Sequence, residues 1–425
     1  MKRILISNLI LIFIFSNQLF AQKETADYNN SPGLNDLLNS AIETNVRLEP
    51  IEFEKKILSA KINQVSYQSS PMIQLMVDDL PVNFSNPGNY SVNFSQPLKL
   101  FGKLDEAEKL AKINSLKPEI QKKELQIELI KSVKENYFML SVNEKLLAFN
   151  QEFKEILNFI TGSMEIKYST GTGSQYDILK SNNEFQKLLL EEIELTNNKK
   201  IFINNLRTLS NIDLPDDYST KNLDILLKIN PPALDTAVLI SDLKSGNTDY
   251  KFLEQENEEN KIETSIAELE RKPDLNLMTG YKYKTDMQGS YLLFAVEMDL
   301  PFMPWNEKRI DAEIKEKMLR EKRIESETKS LEVNLKNELK NIIVMINSSL
   351  EKIKYLNEVL IPQTEETYKS SLISYETSST QFIDLLDTYR TLRENNRMLA
   401  EEETNYLILM SSLEKLIGKQ ILTIN

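Results

Sequence analysis

The chain of 425 residues contains no cysteine and no histidine, and only 10 glycines, 14 prolines and one tryptophan. Without cysteine there is no disulfide and no lipid attached to an N-terminal Cys. Without either residue, zinc, copper and haem sites lose their commonest ligands, and nucleophile–histidine catalytic constellations are excluded. No metal site and no cofactor is therefore expected, and an enzyme would have to work with carboxylates, Lys, Tyr or Ser alone. The scarcity of glycine beside long tracts of Glu, Lys, Leu and Asn points to long helices. Lys2 and Arg3 precede an apolar run, Ile4 to Phe15, and Ala21 closes a signal-like segment over 1–21. Beyond it 49 basic residues face 64 acidic ones, a balance of −15, which argues against a nucleic-acid partner. No run there reaches 18 apolar residues, so a membrane would have to be crossed by strands.

What the sequence does contain, it contains twice. Asn45 matches Asn247 and Pro71 matches Pro273 at an offset of 202, Pro97 matches Pro301 at 204, and Asp177 matches Asp384 at 207. Each copy reads as helix, two strands, long helix, turn, helix. The reading places a segment at 22–33, a first repeat at 34–211, an irregular belt-like linker at 212–246, a second repeat at 247–418 and a tail at 419–425. Hairpins fall at about 71–97 and 273–300. Ile73, Leu75 and Val77, then Tyr90, Val92 and Phe94, alternate with polar residues, as do Leu277, Tyr281 and Tyr283. Strands of about ten residues suit a tilted bilayer crossing, but four cannot close a barrel, so several chains would have to contribute.

A first helix is expected from Leu34 to Ser69, and long arms at about 103–170 and 306–376, the first spanning roughly 100 Å if unbroken. Leu339, Ile342, Ile346, Ser349, Ile353, Leu356 and Leu360 keep coiled-coil spacing, as do Ile130, Val133, Tyr137, Leu140 and Leu147. The arms are expected to pack side by side, kinked at Pro118 and Pro362. Tip turns follow at 171–174 and 377–380.

The ALxxNP-like Ala41-Ile42-Glu43-Thr44-Asn45, the RxPxL-like Arg271-Lys272-Pro273-Asp274-Leu275, and the YxxGxxxxxDxL turn of Tyr168, Gly171, Asp177 and Leu179 occur in one order. In the second copy Tyr375, Asp384 and Leu386 match, with Ser378 in place of glycine. Over essentially the whole chain this resembles the TolC-like outer membrane efflux factors. The resemblance implies a mainly α fold with a membrane β-hairpin pair, assembled as a homotrimer with a twelve-stranded barrel and an α-helical periplasmic tunnel. It implies outer membrane lipid, a periplasmic adaptor and an inner-membrane pump, proton-driven, as partners. Tyr168, Gly171, Thr172, Gly173, Asp177, Ser378, Ser379 and Thr380 would form adaptor-docking tips. Asp384 and Asp387, with Tyr375, would form the gate and its cation ring. Lys180 stands opposite Asp387 in the first repeat, and whether the two pair is open. Thr380 stands where the family has a basic residue, a departure from its salt-bridged closed gate. Trp305 resembles an interfacial anchor. The steps Phe101-Gly102-Lys103 and Pro301 to Arg309 resemble the heavy-metal branch, which implies cation export. The residues taken alone also fit a periplasmic or secreted coiled-coil protein with ordinary hairpins, and more distantly a carboxylate glycosidase.

Overall fold

The structure, a computed structural model, describes residues 32–80, 82, 87–220, 234–285, 287–377 and 379–421. The signal-like segment, most of the first hairpin loop, part of the linker, Ser378 and the end of the tail lie outside them.

Helices dominate, and their ends follow local chemistry. The expected first helix is two, α1 (Leu34–Thr44) and α2 (Glu49–Val65), separated by a tight turn at Val46–Leu48. Asn45 makes the break: its carboxamide oxygen accepts from the Arg47 amide at 3.0 Å, and Pro50 then suits the first turn of α2. Strands β1 (Met72–Asp78) and β2 (Asn89–Leu98) lead to α3 (Lys103–Asn114) and α4 (Lys117–Ser169). Pro118 thus interrupts the first arm outright, because its missing N–H and ring fit a helix start better than a helix middle. The 53 residues of α4 span about 80 Å. The return is α5 (Gln175–Ser210), capped by Ser174.

The linker is less irregular than expected, since α6 (Thr236–Gly246) occupies its end with Asp235 as cap. The second repeat runs α7 (Thr248–Leu269), β3 (Leu275–Lys284), β4 (Gly289–Met298), α8 (Pro304–Tyr355), a π turn at Leu356–Leu360, α9 (Ile361–Glu376) and α10 (Phe382–Ile417). At Pro362 the second arm continues, the π turn absorbing the disturbance. Thr364 donates to the Leu360 carbonyl at 2.7 Å and receives Asn395 Nδ2 at 2.8 Å.

The duplication is visible atom by atom. Asn45 Nδ2 donates to the Leu209 carbonyl at 2.8 Å, and Asn247 Nδ2 to the Leu416 carbonyl at 3.1 Å. The returning helices stop at Asn211 and Gly418, 207 apart and both left-handed.

The arms do not form a two-helix coil with each other. Each packs on returning helices, and α10 lies against α4, α8 and α9. The spaced residues Leu339, Ile346, Val133 and Leu140 enter one core with Leu37, Leu206, Leu243 and Leu413 at linker level. Lys134 and Glu414 form a fully buried ion pair there at 2.5 Å. A second core lies near the tips.

The sheet is a four-stranded antiparallel sheet of order β1-β2-β3-β4, with both edge strands unpaired among the described residues. Its register places Ile73 beside Phe94, Val92 beside Tyr281, and Tyr281 beside Leu292, so one face is apolar across all four strands. That face is exposed: Ile73, Leu75, Phe94, Tyr281, Phe294 and Val296 face outward, while on the other face β2 buries Asn89, Ser91, Asn93 and Ser95 between edge strands whose Met72, Met76, Tyr291 and Leu293 stay exposed. Gly280 permits this, because a side chain there would collide with Asn93. Among the described residues no helix is long and apolar enough to cross a membrane.

Candidate functional site

Each repeat reverses direction at one tip, where a helix must end and another begin within five residues. At the first tip, Gly171 adopts φ +77°, allowing Thr172 N–H to donate back to the Lys167 carbonyl at 2.9 Å and Gly171 N–H to Tyr168 at 3.0 Å. Gly173 is required sterically: a Cβ there would lie 2.6 Å from the Tyr168 nitrogen. At the second tip Ser379 N–H donates to the Ser374 carbonyl at 2.8 Å, the same bond 207 residues later. The hydroxyls repeat as well, Thr170 with Thr172 and Thr377 with Ser379, both at 3.1 Å.

The surroundings differ. Tyr168 and Tyr176 are exposed, whereas Tyr375 is buried among Phe153, Ile160, Met164, Phe382 and Leu386. Lys167 joins the two tips, donating to the Tyr375 carbonyl at 2.7 Å with its ammonium 4.2 Å from the ring centroid. Burial, then the Asp177 carboxylate, pushes the Tyr375 hydroxyl up from its ordinary value. Asp177 is half-buried in the first turn of α5. Thr380 Oγ1 is buried with no hydrogen-bond partner among the described residues.

Asp384 and Asp387 lie on one exposed face of α10, and neither makes an ion pair among the described residues. Lys180 does not reach Asp387 within the chain; its ammonium lies 5.6 Å from the Tyr176 ring centroid. One turn beyond Lys180, Glu184 is buried between Arg390 and Lys187, the latter at 2.8 Å. Burial opposes its ionisation, yet the hydrogen bonds from Arg390 and Lys187 hold its carboxyl below the ordinary value. The structure therefore collects Tyr375, Asp177 and the unforeseen Lys167 in one cluster, and leaves the two aspartates apart from it as unneutralised carboxylates. Lys167 and Tyr375 are 208 residues apart, and no local pattern marks such a pair. Arg390 and Glu184, 206 residues apart, are equally unmarked by any local pattern.

These carboxylates can attract cations but show no grouping suited to coordination: no cluster of three or more acidic residues able to hold a metal occurs among the described residues.

Residues 37–211 match the family model for outer membrane efflux protein. No curated protein matches the chain in sequence. Among solved structures the chain is similar to CusC at 16% identity, with a TM-score of 0.76 over 94% of this chain and 96% of that one. It is similar to the outer-membrane channel OprN at 15% identity, TM-score 0.75, covering 91% and 89%. The open-state MtrE outer membrane channel of Neisseria gonorrhoeae gives 16%, 0.75, and 92% and 89%. The resemblance read from the sequence stands, with the family model on the first repeat and the TolC-like channel fold over nearly the whole chain.

Proposed function

We propose that this chain, which has the fold of TolC-like outer membrane efflux channels, is the outer membrane duct of a tripartite efflux system. Three copies contribute four strands each to a twelve-stranded barrel, and their helices form a tunnel through the periplasm to an adaptor and a proton-driven inner-membrane pump. The duct performs no chemistry and uses no cofactor; the pump supplies the energy.

The observation that carries this reading is the inverted sheet. A four-stranded sheet with its apolar residues outward, its Asn and Ser residues inward and both edges unpaired is costly in water and unfinished in lipid. Closure with other copies remedies both, and an ordinary soluble hairpin explains neither.

Asp384 and Asp387 form the gate's cation ring in the trimer, where threefold symmetry brings three copies of each carboxylate together. Tyr375, held by Lys167, belongs to the contacts that keep the tips closed. Tyr168, Gly171, Thr172, Gly173, Asp177, Ser378, Ser379 and Thr380 dock the adaptor. The cargo is heavy-metal cations, a reading supported by the sequence around Phe101 and Trp305. A strain lacking the gene should then lose metal tolerance; normal metal tolerance with lost dye or bile-salt tolerance overturns the cargo.

The decisive test of the duct is planar-bilayer recording of the purified protein. Discrete cation-preferring conductance steps are expected. A protein that stays soluble without detergent and never inserts refutes the reading.

A further inference from the structure

Within the chain the two repeats meet where α10 lies against α4, and charge locks that seam. Lys134 pairs with Glu414 at 2.5 Å and Lys145 with Glu403 at 2.8 Å. The counterparts of α4 and α10 are α8 and α5, which pack on α10 and α4 respectively and leave one flank of each uncovered. Hydrogen bonds fix the correspondence: Asn143 Nδ2 donates to the Leu195 carbonyl at 2.8 Å, and Ser349 Oγ to the Glu402 carbonyl at 3.2 Å. Position 143 therefore corresponds to 349, a shift of 206 from α4 to α8, whereas 195 corresponds to 402, a shift of 207 from α5 to α10. The tips keep 207, Thr172 against Ser379. The one-residue change falls at the π turn over Leu356–Leu360, which holds one residue more than an α-helix needs.

Under this correspondence, residues that fill the inner seam have exposed counterparts on the flanks. Phe138 and Leu386 are fully buried, and their counterparts Val344 and Leu179 are exposed by 65 and 56%. The half-buried Phe149 has Tyr355, exposed by 57%, as its counterpart. Val344 and Tyr355 belong to α8 and Leu179 to α5, so the two flanks match each other as α4 matches α10. Unlike flanks of this kind, joined head to tail, close a ring of identical copies.

The lock itself is not copied. Lys134 has Lys340 as its counterpart, but Glu414 has Arg207. Lys340 is exposed and makes no ion pair among the described residues; one turn away on its own helix stand Lys336, Asn337, Ile343 and Val344, with no carboxylate. Arg207 holds Asp216 of the linker at 2.6 Å, and that carboxylate is 93% exposed. Asp213 and Asp217 stand beside it, exposed and without ion pairs among the described residues, so three carboxylates outnumber Arg207 and the nearby Lys200.

We infer that neighbouring copies join α8 to α5 in the register that α4 keeps on α10, and that Lys340 of one copy binds Asp216 of the next, the linker supplying the carboxylate that α5 lacks. This contact rests on the three-copy duct proposed above and adds which flanks meet, in what register and through which ion pair. Asp216 is then held between two cations, Arg207 of its own chain and Lys340 of the neighbouring copy, in a seam that covers what is exposed in one chain alone.

The chain has no cysteine, so introduced thiols report without background. Thr196 and Glu351 are the counterparts of Glu403 and Lys145 and lie on opposite flanks, so a short bismaleimide can join Thr196→Cys to Glu351→Cys only between copies. In the full chain, purified in detergent and checked for conductance, covalent trimers are expected from that double variant and none from either single variant. None is expected from Thr196→Cys with Lys340→Cys, about 16 Å out of register, and crosslinking there overturns the register. A conducting protein that forms no crosslink at 196 and 351 overturns the seam alone, while one that neither assembles nor conducts overturns the duct as well. Lys340→Gln and Asp216→Asn should each speed dissociation of the trimer about fivefold, and the two together no further than either alone. Additive losses, or none, overturn the ion pair.

Discussion

At the first tip Thr172 closes the turn on Lys167, and at the second Ser379 closes the same turn on Ser374, with the hydroxyl pair reproduced at the same distance. Around that shared backbone almost everything else differs. The first tip has Gly173 where a side chain would collide with the backbone; the second has Thr380. The first exposes Tyr168; the second buries Tyr375 under the first tip's Lys167. The first has Asp177 and Lys180, where the second has Asp384 and Asp387. An unbroken α4 leads to the first tip, while the second is reached through a π turn. The lesson is that a hydrogen-bonded turn depends on few side chains, which leaves the rest free to specialise: one tip as structural prop, the other as charged surface.

The largest expected effect separates the tips by charge. Asp384→Asn combined with Asp387→Asn should lower the cation-to-anion permeability ratio by about tenfold, measured from reversal potentials in asymmetric salt. Asp177→Asn should leave it unchanged, and equal loss from both would dissolve the distinction. A second substitution tests the steric difference. Gly173→Thr writes the second tip's residue into the first and should cost about 2–3 kcal/mol through overpacking, seen as faster amide exchange around 165–180. Thr380→Gly, the reverse, should leave exchange at the second tip nearly as it was.

Third comes the ion pair between the two returning helices. Glu184→Gln should cost about 1–2 kcal/mol, a discounted figure because Arg390 is 40% exposed. The folded carboxyl titrates below its unfolded value of 4.5, so its contribution is complete above that pH and is lost as pH falls through the folded value. A stability profile that keeps the same acid limb in Glu184→Gln would assign that limb to other groups. The smallest effect is Gly171→Ser, which imposes φ +77° on a residue with a Cβ and should cost about 1 kcal/mol. No loss would mean that the turn relaxes without glycine.

Period-two alternation made the apolar face of the sheet legible because the strands keep it at most positions, Gln96, Thr279 and Ser290 excepted, and the register then aligned Ile73, Val92, Tyr281 and Leu292 as one surface. Helix interruptions were harder. Asn45 followed by Pro50 is a helix-start signature, but the apolar spacing carries on through it and conceals the turn. Pro118 and Pro362 read alike in sequence yet act differently, because a π turn is available to one and a fresh helix start to the other. The mistaken pairing of the arms has a related cause: heptad spacing tells that a helix has a buried seam, without telling which helix fills it. At the site, the turns and aspartates were legible as repeats and through the family resemblance, whereas Lys167 on Tyr375 exists only because two distant turns meet.

The two asparagine clasps each enclose one repeat. Asn45 reaches a carbonyl 164 residues away and Asn247 one 169 away, and each bond begins and ends inside its own repeat. Either half is thereby fastened like a bracelet on itself, and the seam between halves is held by strand pairing, the shared core and bonds such as Lys134 to Glu414 and Arg390 to Glu184. A half-length chain bearing one clasp would already be closed on itself, and the three-copy barrel proposed above corresponds to six such halves. Joining two such halves in one chain ties neighbours together permanently, and so allows one tip of each pair to differ from the other.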